Sequence, residues 1–98
     1  MKKAVINDVT ILQGKYDTIF VTRPSMLTNK IHTISFGGVR FEDMADWMEG
    51  RMKRMPGTPM VQDAFPHLSK EEREFLMTGI TAEEWLAAFP AKQGEENA

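Results

Sequence analysis

Every segment with a strand-like pattern lies before Gly37-Gly38, and every segment with a helical pattern lies after it. Strands first and helices after belong to α+β architectures, in which helices cover one face of an antiparallel sheet. Val9-Thr10-Ile11-Leu12 and Thr18-Ile19-Phe20-Val21-Thr22 are rich in β-branched and aromatic residues and are predicted as two strands. Gln13-Gly14-Lys15-Tyr16 lies between them, with glycine at the first central position, where a type II′ hairpin turn requires positive φ. Arg23-Pro24-Ser25 is expected to break the ladder, because proline has no N–H to donate. A third strand is predicted over Ile31–Phe36, with His32, Ile34 and Phe36 on one face and Ile31, Thr33 and Ser35 on the other.

The second half carries helical spacing. Phe41, Met44, Ala45, Met48, Met52 and Met55 fall three and four apart and form one stripe, which predicts a long helix from Phe41 to Met55. Gly50 weakens that helix or marks a bend or an end. Pro56-Gly57-Thr58-Pro59 stops it. Ser69-Lys70-Glu71-Glu72 and Thr81-Ala82-Glu83-Glu84 are capping boxes, each opening a short helix. The first is expected to end at Gly79 in the left-handed conformation, and the second at Pro90. Phe75, Leu76, Trp85 and Phe89 are expected in the core. The reading is therefore a small antiparallel sheet of about three strands followed by one long and two short helices. It forms one domain over residues 1–90, with a flexible polar tail at 91–98.

Composition bounds the chemistry. The chain has 98 residues, 42% of them apolar and 27% charged, which suits one globular domain. With no cysteine, disulfides, thiolate metal sites and cysteine nucleophiles are excluded. The charged, interrupted start at Met1–Asp8 does not read as a signal peptide, and no apolar run is long enough to cross a bilayer. The expected location is the cytoplasm of the host cell, with no membrane partner. Charge is uneven. Residues 1–60 carry nine Lys/Arg against six Asp/Glu, net +3, and residues 61–98 carry three against eight, net −5.

The segment from Gln62-Asp63-Ala64-Phe65-Pro66 through Leu68-Ser69, on to Arg73-Glu74-Phe75-Leu76 and Thr78-Gly79-Ile80-Thr81, and ending at Trp85 resembles a motif of small phage- and prophage-encoded proteins of unassigned function. Phe41, Trp47 and Gly50 resemble the F…W-x-x-G element that precedes it. The resemblance covers roughly residues 41–89 and implies a phage or mobile-element origin without an activity, ligand or catalytic residue. The chain departs from the pattern at Arg51–Met60, which separates the two elements. Most of the motif is helix punctuation or core. Gln62, Asp63, Arg73 and Glu74 are the residues that architecture does not require, and Arg73 has Asp63 or a neighbouring glutamate as possible ion-pair partners.

No catalytic or cofactor pattern stands out. His32 and His67 lie far apart, with no metal-ligand spacing. Ser69 near His67 is already accounted for as a helix cap. Gly37-Gly38 belongs to no phosphate loop. We therefore expect no catalytic residues, no cofactor and no metal, and a protein that is not an enzyme. Arg51, Lys53 and Arg54 could make a basic patch for nucleic acid, but acidic residues share their helix and the chain is acidic overall. Trp47 lies off the methionine stripe and would make a binding anchor if exposed. It could equally pack a homodimer. The Met44–Met55 stripe is expected to be core, and any exposed part becomes a contact surface. The leading expectation is an accessory protein that binds a host protein or complex, with a defence inhibitor such as an anti-CRISPR as its sharpest form. The alternatives are a small nucleic-acid-associated factor and a structural homodimeric phage component.

Overall fold

Strand pairing is sequential throughout the sheet. The computed structural model describes residues 2–89, so the polar tail expected at 91–98, and Pro90 before it, lie outside the described residues. Four strands, β1 (Lys3–Ile6), β2 (Val9–Gln13), β3 (Thr18–Pro24) and β4 (Ile31–Gly37), form an antiparallel meander in the order β1-β2-β3-β4. Four helices follow: α1 (Phe41–Met52), α2 (Val61–Ala64), α3 (Lys70–Thr78) and α4 (Ala82–Ala88). The α+β class and the strands-then-helices order are as expected, with one more strand and one more helix.

The additional strand is β1, which pairs with β2 from Lys3↔Leu12 to Ile6↔Val9. Asn7 makes the two-residue connection by taking a φ of +57°, a conformation asparagine tolerates better than most residues. The β2–β3 connection differs from the expected type II′ turn. Tyr16, not Gly14, adopts positive φ (+57°). Gly14 is needed for space, since a Cβ there would lie 2.7 Å from Cε2 of Phe20. Pro24 ends β3 and does not break it. β2 pairs with β3 only as far as Thr10↔Thr22, so the missing proline donor faces no ladder.

One face of the sheet is covered. Val9, Ile11, Ile19, Val21 and Phe36 are fully buried on it, and Met44 and Met48 of α1 pack into the same core. Phe36 meets Phe75 of α3 with ring centroids 6.4 Å apart. Met52 is half-buried, so the methionine stripe is core for most of its length, and only Met55, beyond the helix, is exposed. α1 stops at Met52, short of Met55, because Arg54 turns left-handed at φ +52°. Gly50 lies within the helix and is buried. A Cβ at Gly50 would run into the Thr58 side chain, so glycine lets residues 53–60 fold back over α1.

Both capping boxes form. Ser69 Oγ accepts from the Glu72 amide and Glu72 returns to the Ser69 amide; Thr81 and Glu84 repeat the pattern. The C-terminus of α3 is fixed against β3. Arg23, only 5% exposed, donates from Nη1 to the Leu76 carbonyl at 2.7 Å. The Met26 amide donates to the Thr78 carbonyl at 2.9 Å, and the Gly79 amide to the Phe75 carbonyl at 2.7 Å. These bonds use carbonyls that a helix end leaves without partners. Burial pushes the Arg23 guanidinium below its usual pKa, opposed by the charge of Asp8. Gly79 takes φ +75°, and a Cβ there would collide with the Pro24 carbonyl oxygen. Gly79→Ala is therefore expected to lower unfolding free energy by more than ~1 kcal/mol, read as a lower urea midpoint at unchanged slope.

Candidate functional site

The two tryptophans exchange the roles the sequence implied. Trp47 is 5% exposed. Its indole Nε1 donates to the Pro59 carbonyl at 2.9 Å, and its ring meets Phe65 edge-on at 5.8 Å. The residue is buried because the 53–60 segment closes over α1, and its one polar atom is satisfied inside the fold. Trp47 is therefore no surface anchor in this structure. Its burial follows from the Gly50–Thr58 contact, which helical spacing does not reveal. An open groove of about 610 Å³ runs beside it, lined by Val39, Asp43, Asp46, Trp47, Phe65 and His67 among others. Among the described residues, no three His, Asp or Glu side chains converge to hold a metal ion.

The other sequence-selected residues do not form one cluster. Gln62 and Asp63 are exposed on α2, and Arg73 and Glu74 are half-buried on α3. Arg73 makes no ion pair with Asp63 or a glutamate among the described residues, contrary to expectation. Arg51 is exposed in the last turn of α1, and Arg54 lies in the loop after it. Lys53 Nζ donates to Glu49 Oε2 at 2.8 Å, so part of the basic patch is already neutralised along the helix. His67 Nε2 lies 3.4 Å from the Gly37 carbonyl, and Ser69 is the α3 cap.

The surface that sequence reasoning missed is α4. No residue of this helix is buried. Trp85 is 39% exposed and Phe89, which follows the helix, 44% exposed. Their rings stack at 5.3 Å with an interplanar angle of 30°. Leu86 is exposed beside them. Trp85 and Phe89 were expected in the core because four-residue spacing on a helix usually signals a buried face. The spacing is real, but the face it builds turns to solvent. The adjacent β3–β4 connection exposes Met26 and Leu27 as well.

Polar bonds hold α4 in place. Glu84 Oε1 accepts from the Thr81 amide as part of the cap, while Oε2 accepts from Thr28 Oγ1 at 2.5 Å and from His32 Nε2 at 2.8 Å. One carboxylate thus joins the start of α4, the β3–β4 connection and β4. Thr28 is itself positioned by Ser25, whose buried Oγ accepts from the amides of Leu27 and Thr28. The hydrogen bond from Thr28, with those from His32, the Thr81 backbone and Ser25, holds the Glu84 carboxyl down at about 2 against the opposing effect of burial. A sequence signal did exist: Glu84 is the N3 residue of a capping box, which leaves its second oxygen free for another partner.

No known family, curated protein or solved structure matches this chain.

Two outcomes follow from these geometries. An unfolded glutamate titrates near ~4.3, so below that pH the unfolded chain takes up a proton that folded Glu84 resists until about 2. The stability Glu84 contributes is fully present above ~4.3 and is lost as pH falls through about 2. Glu84→Gln is expected to melt lower than the wild type at neutral pH and to lose less stability on acidification across that window, measured by thermal circular dichroism. Trp47→Ala is expected to destabilise the fold by about 3–5 kcal/mol, as large core truncations do, in equilibrium denaturation.

Proposed function

We propose that this chain is a non-catalytic protein-binding module that docks a partner protein on the α4 face. The observation that carries this reading is the stacked Trp85–Phe89 pair, about two-fifths exposed at the end of a helix with no residue in the core. Tryptophan and large apolar side chains anchor interfaces because they bring much apolar area at little entropic cost. A helix displaying them, fixed by a carboxylate bonded to two other elements, is a pre-positioned contact surface. Residues 61–89 carry six Asp/Glu against two Lys/Arg, so a partner with an apolar centre and a basic rim complements this region. Gln62, Asp63, Arg73 and Glu74 belong to the same acidic third of the chain and are candidates for polar contacts around the anchor.

The resemblance of residues 41–89 to small phage-encoded proteins supports a phage or mobile-element accessory role, with a host protein as the partner and inhibition of a defence complex, as by an anti-CRISPR, as its sharpest form. A nucleic-acid role through Arg51, Lys53 and Arg54 is weaker, because Lys53 is engaged by Glu49.

The test compares tagged wild type with Trp85→Ala/Phe89→Ala in pull-downs from bacterial lysate washed at low and high salt. We expect one stoichiometric protein retained by the wild type at high salt and lost in the double variant, a loss of at least ~2 kcal/mol of binding. Neither side chain belongs to the buried core, so the double variant is expected to stay folded, checked by a wild-type circular dichroism spectrum. Undiminished capture by the double variant, or nucleic acid released by salt and lost on Arg51→Glu/Lys53→Glu/Arg54→Glu, would overturn the reading.

A further inference from the structure

The two edges of the sheet are built differently. β1 is four residues long, follows Lys2 and carries Lys3, and Lys2 is paired with Glu42 of α1. Short length and lysine are usual protections against strand addition. β4 is seven residues long, Ile31 to Gly37, and contains no charged residue and no proline.

The phase of its hydrogen bonds is fixed at both ends. The Ser25 amide donates to the Lys30 carbonyl, and the Gly38 amide to the Asp17 carbonyl. With the register running from Thr18↔Gly37 to Pro24↔Ile31, His32, Ile34 and Phe36 direct their amides and carbonyls to β3. Ile31, Thr33, Ser35 and Gly37 direct theirs to the open side. The Gly37 carbonyl faces His67 Nε2. The backbone groups of Ile31, Thr33 and Ser35 bond to nothing among the described residues.

We propose that β4 pairs antiparallel with β4 of a second copy of this chain about a two-fold axis at Thr33, giving a continuous eight-stranded sheet. In that register Thr33 opposes Thr33 of the second copy, and Ile31 opposes Ser35. All outward amides and carbonyls of Ile31, Thr33 and Ser35 are then used, and the Gly37–His67 contact is left intact. An uncharged strand meets its own copy without like-charge repulsion. The solvent face of the sheet also continues across the axis. A row runs Val5, Thr10, Thr22, Thr33 in the pairing register, and Thr22 and Thr33 already share a hydroxyl hydrogen bond at 2.7 Å. Pairing extends that threonine row into the second copy. Ile31, exposed at 72%, gains a cross-strand neighbour. A strand pair alone covers less than the ~800 Å² per partner of a standard interface, so the dimer is reversible and concentration-dependent. This surface is separate from α4 and does not rest on the binding role proposed above.

Sedimentation velocity over a concentration series, on wild type, Thr33→Lys, Thr33→Glu and an equimolar mixture of the two variants, tests the proposal. Wild type is expected to pass from monomer to dimer. Each variant places like charges at the axis and is expected to dimerise more than ~tenfold more weakly. The mixture is expected to recover dimer as a heterodimer. Thr33 is exposed, so both variants are expected to keep the wild-type circular dichroism spectrum, and recovery in the mixture excludes misfolding as the cause of the loss. Wild type that stays monomeric to its solubility limit overturns the proposal. So does a dimer that both variants retain undiminished, which would place self-association on another surface. A monomer whose capture of a partner protein is lost in both variants also overturns it, in favour of strand addition from that partner. Trp85→Ala/Phe89→Ala is expected to leave the dimer unchanged, which separates this outcome from the test of α4.

Discussion

The attachment of the α3 C-terminus to the sheet rests on one buried cation. Arg23 occupies an inward position of β3, between Val21 and Ser25 on the covered face, and reaches the last turn of α3. A charged group in such a place is costly unless its donors are used. Nη1 meets the Leu76 carbonyl, where the helix dipole is negative and the carbonyl has no partner in the helix. Nε keeps no partner among the described residues, so the arrangement depends on geometry at one end of the guanidinium. Gly79 permits the approach by admitting the Pro24 carbonyl where any side chain would block it. Strand end, helix end and glycine form one joint, and α4 starts three residues beyond Gly79.

Below that joint the core is conventional. Above it α4 places no residue in the core and is held by Glu84. Hydrogen bonds to an ionised group are stronger than neutral ones, but a helix tied by few of them, with no side chain in the core, opens more readily than one packed in a core. The body of the domain is thus sheet, α1 and α3, and α4 is an attachment whose apolar side chains remain available. The aromatic stack of Trp85 and Phe89 gives that attachment a defined shape while leaving it exposed.

Features governed by local chemistry were legible in the sequence. Ser69/Glu72 and Thr81/Glu84 announce their helices because each cap is a hydrogen bond between near neighbours. The alternation in β4 separated His32, Ile34 and Phe36 from Ile31, Thr33 and Ser35, and the Met44–Met48–Met52 stripe gave the covered face of α1 correctly. β1 was not legible, because Lys3-Ala4-Val5-Ile6 is short and becomes a strand only by pairing with β2. The β2–β3 turn was misassigned because Gly14 is present for the Phe20 ring and not for its φ. Arg23 carried no signal of burial, since nothing local distinguishes a helix-capping arginine from a strand-ending one. The candidate site was least legible. Which tryptophan is buried depends on the Gly50–Thr58 contact and on the Pro59 carbonyl, both products of tertiary closure.

The two tryptophans divide between architecture and contact. Acrylamide quenching of the intrinsic fluorescence of the native protein addresses this division most directly, because the chain holds only Trp47 and Trp85. Two emitting populations are expected, one shielded with blue-shifted emission and one readily quenched with red-shifted emission. A single, uniformly shielded population would contradict it, since Trp85 would then be packed and α4 would have no aromatic surface to offer.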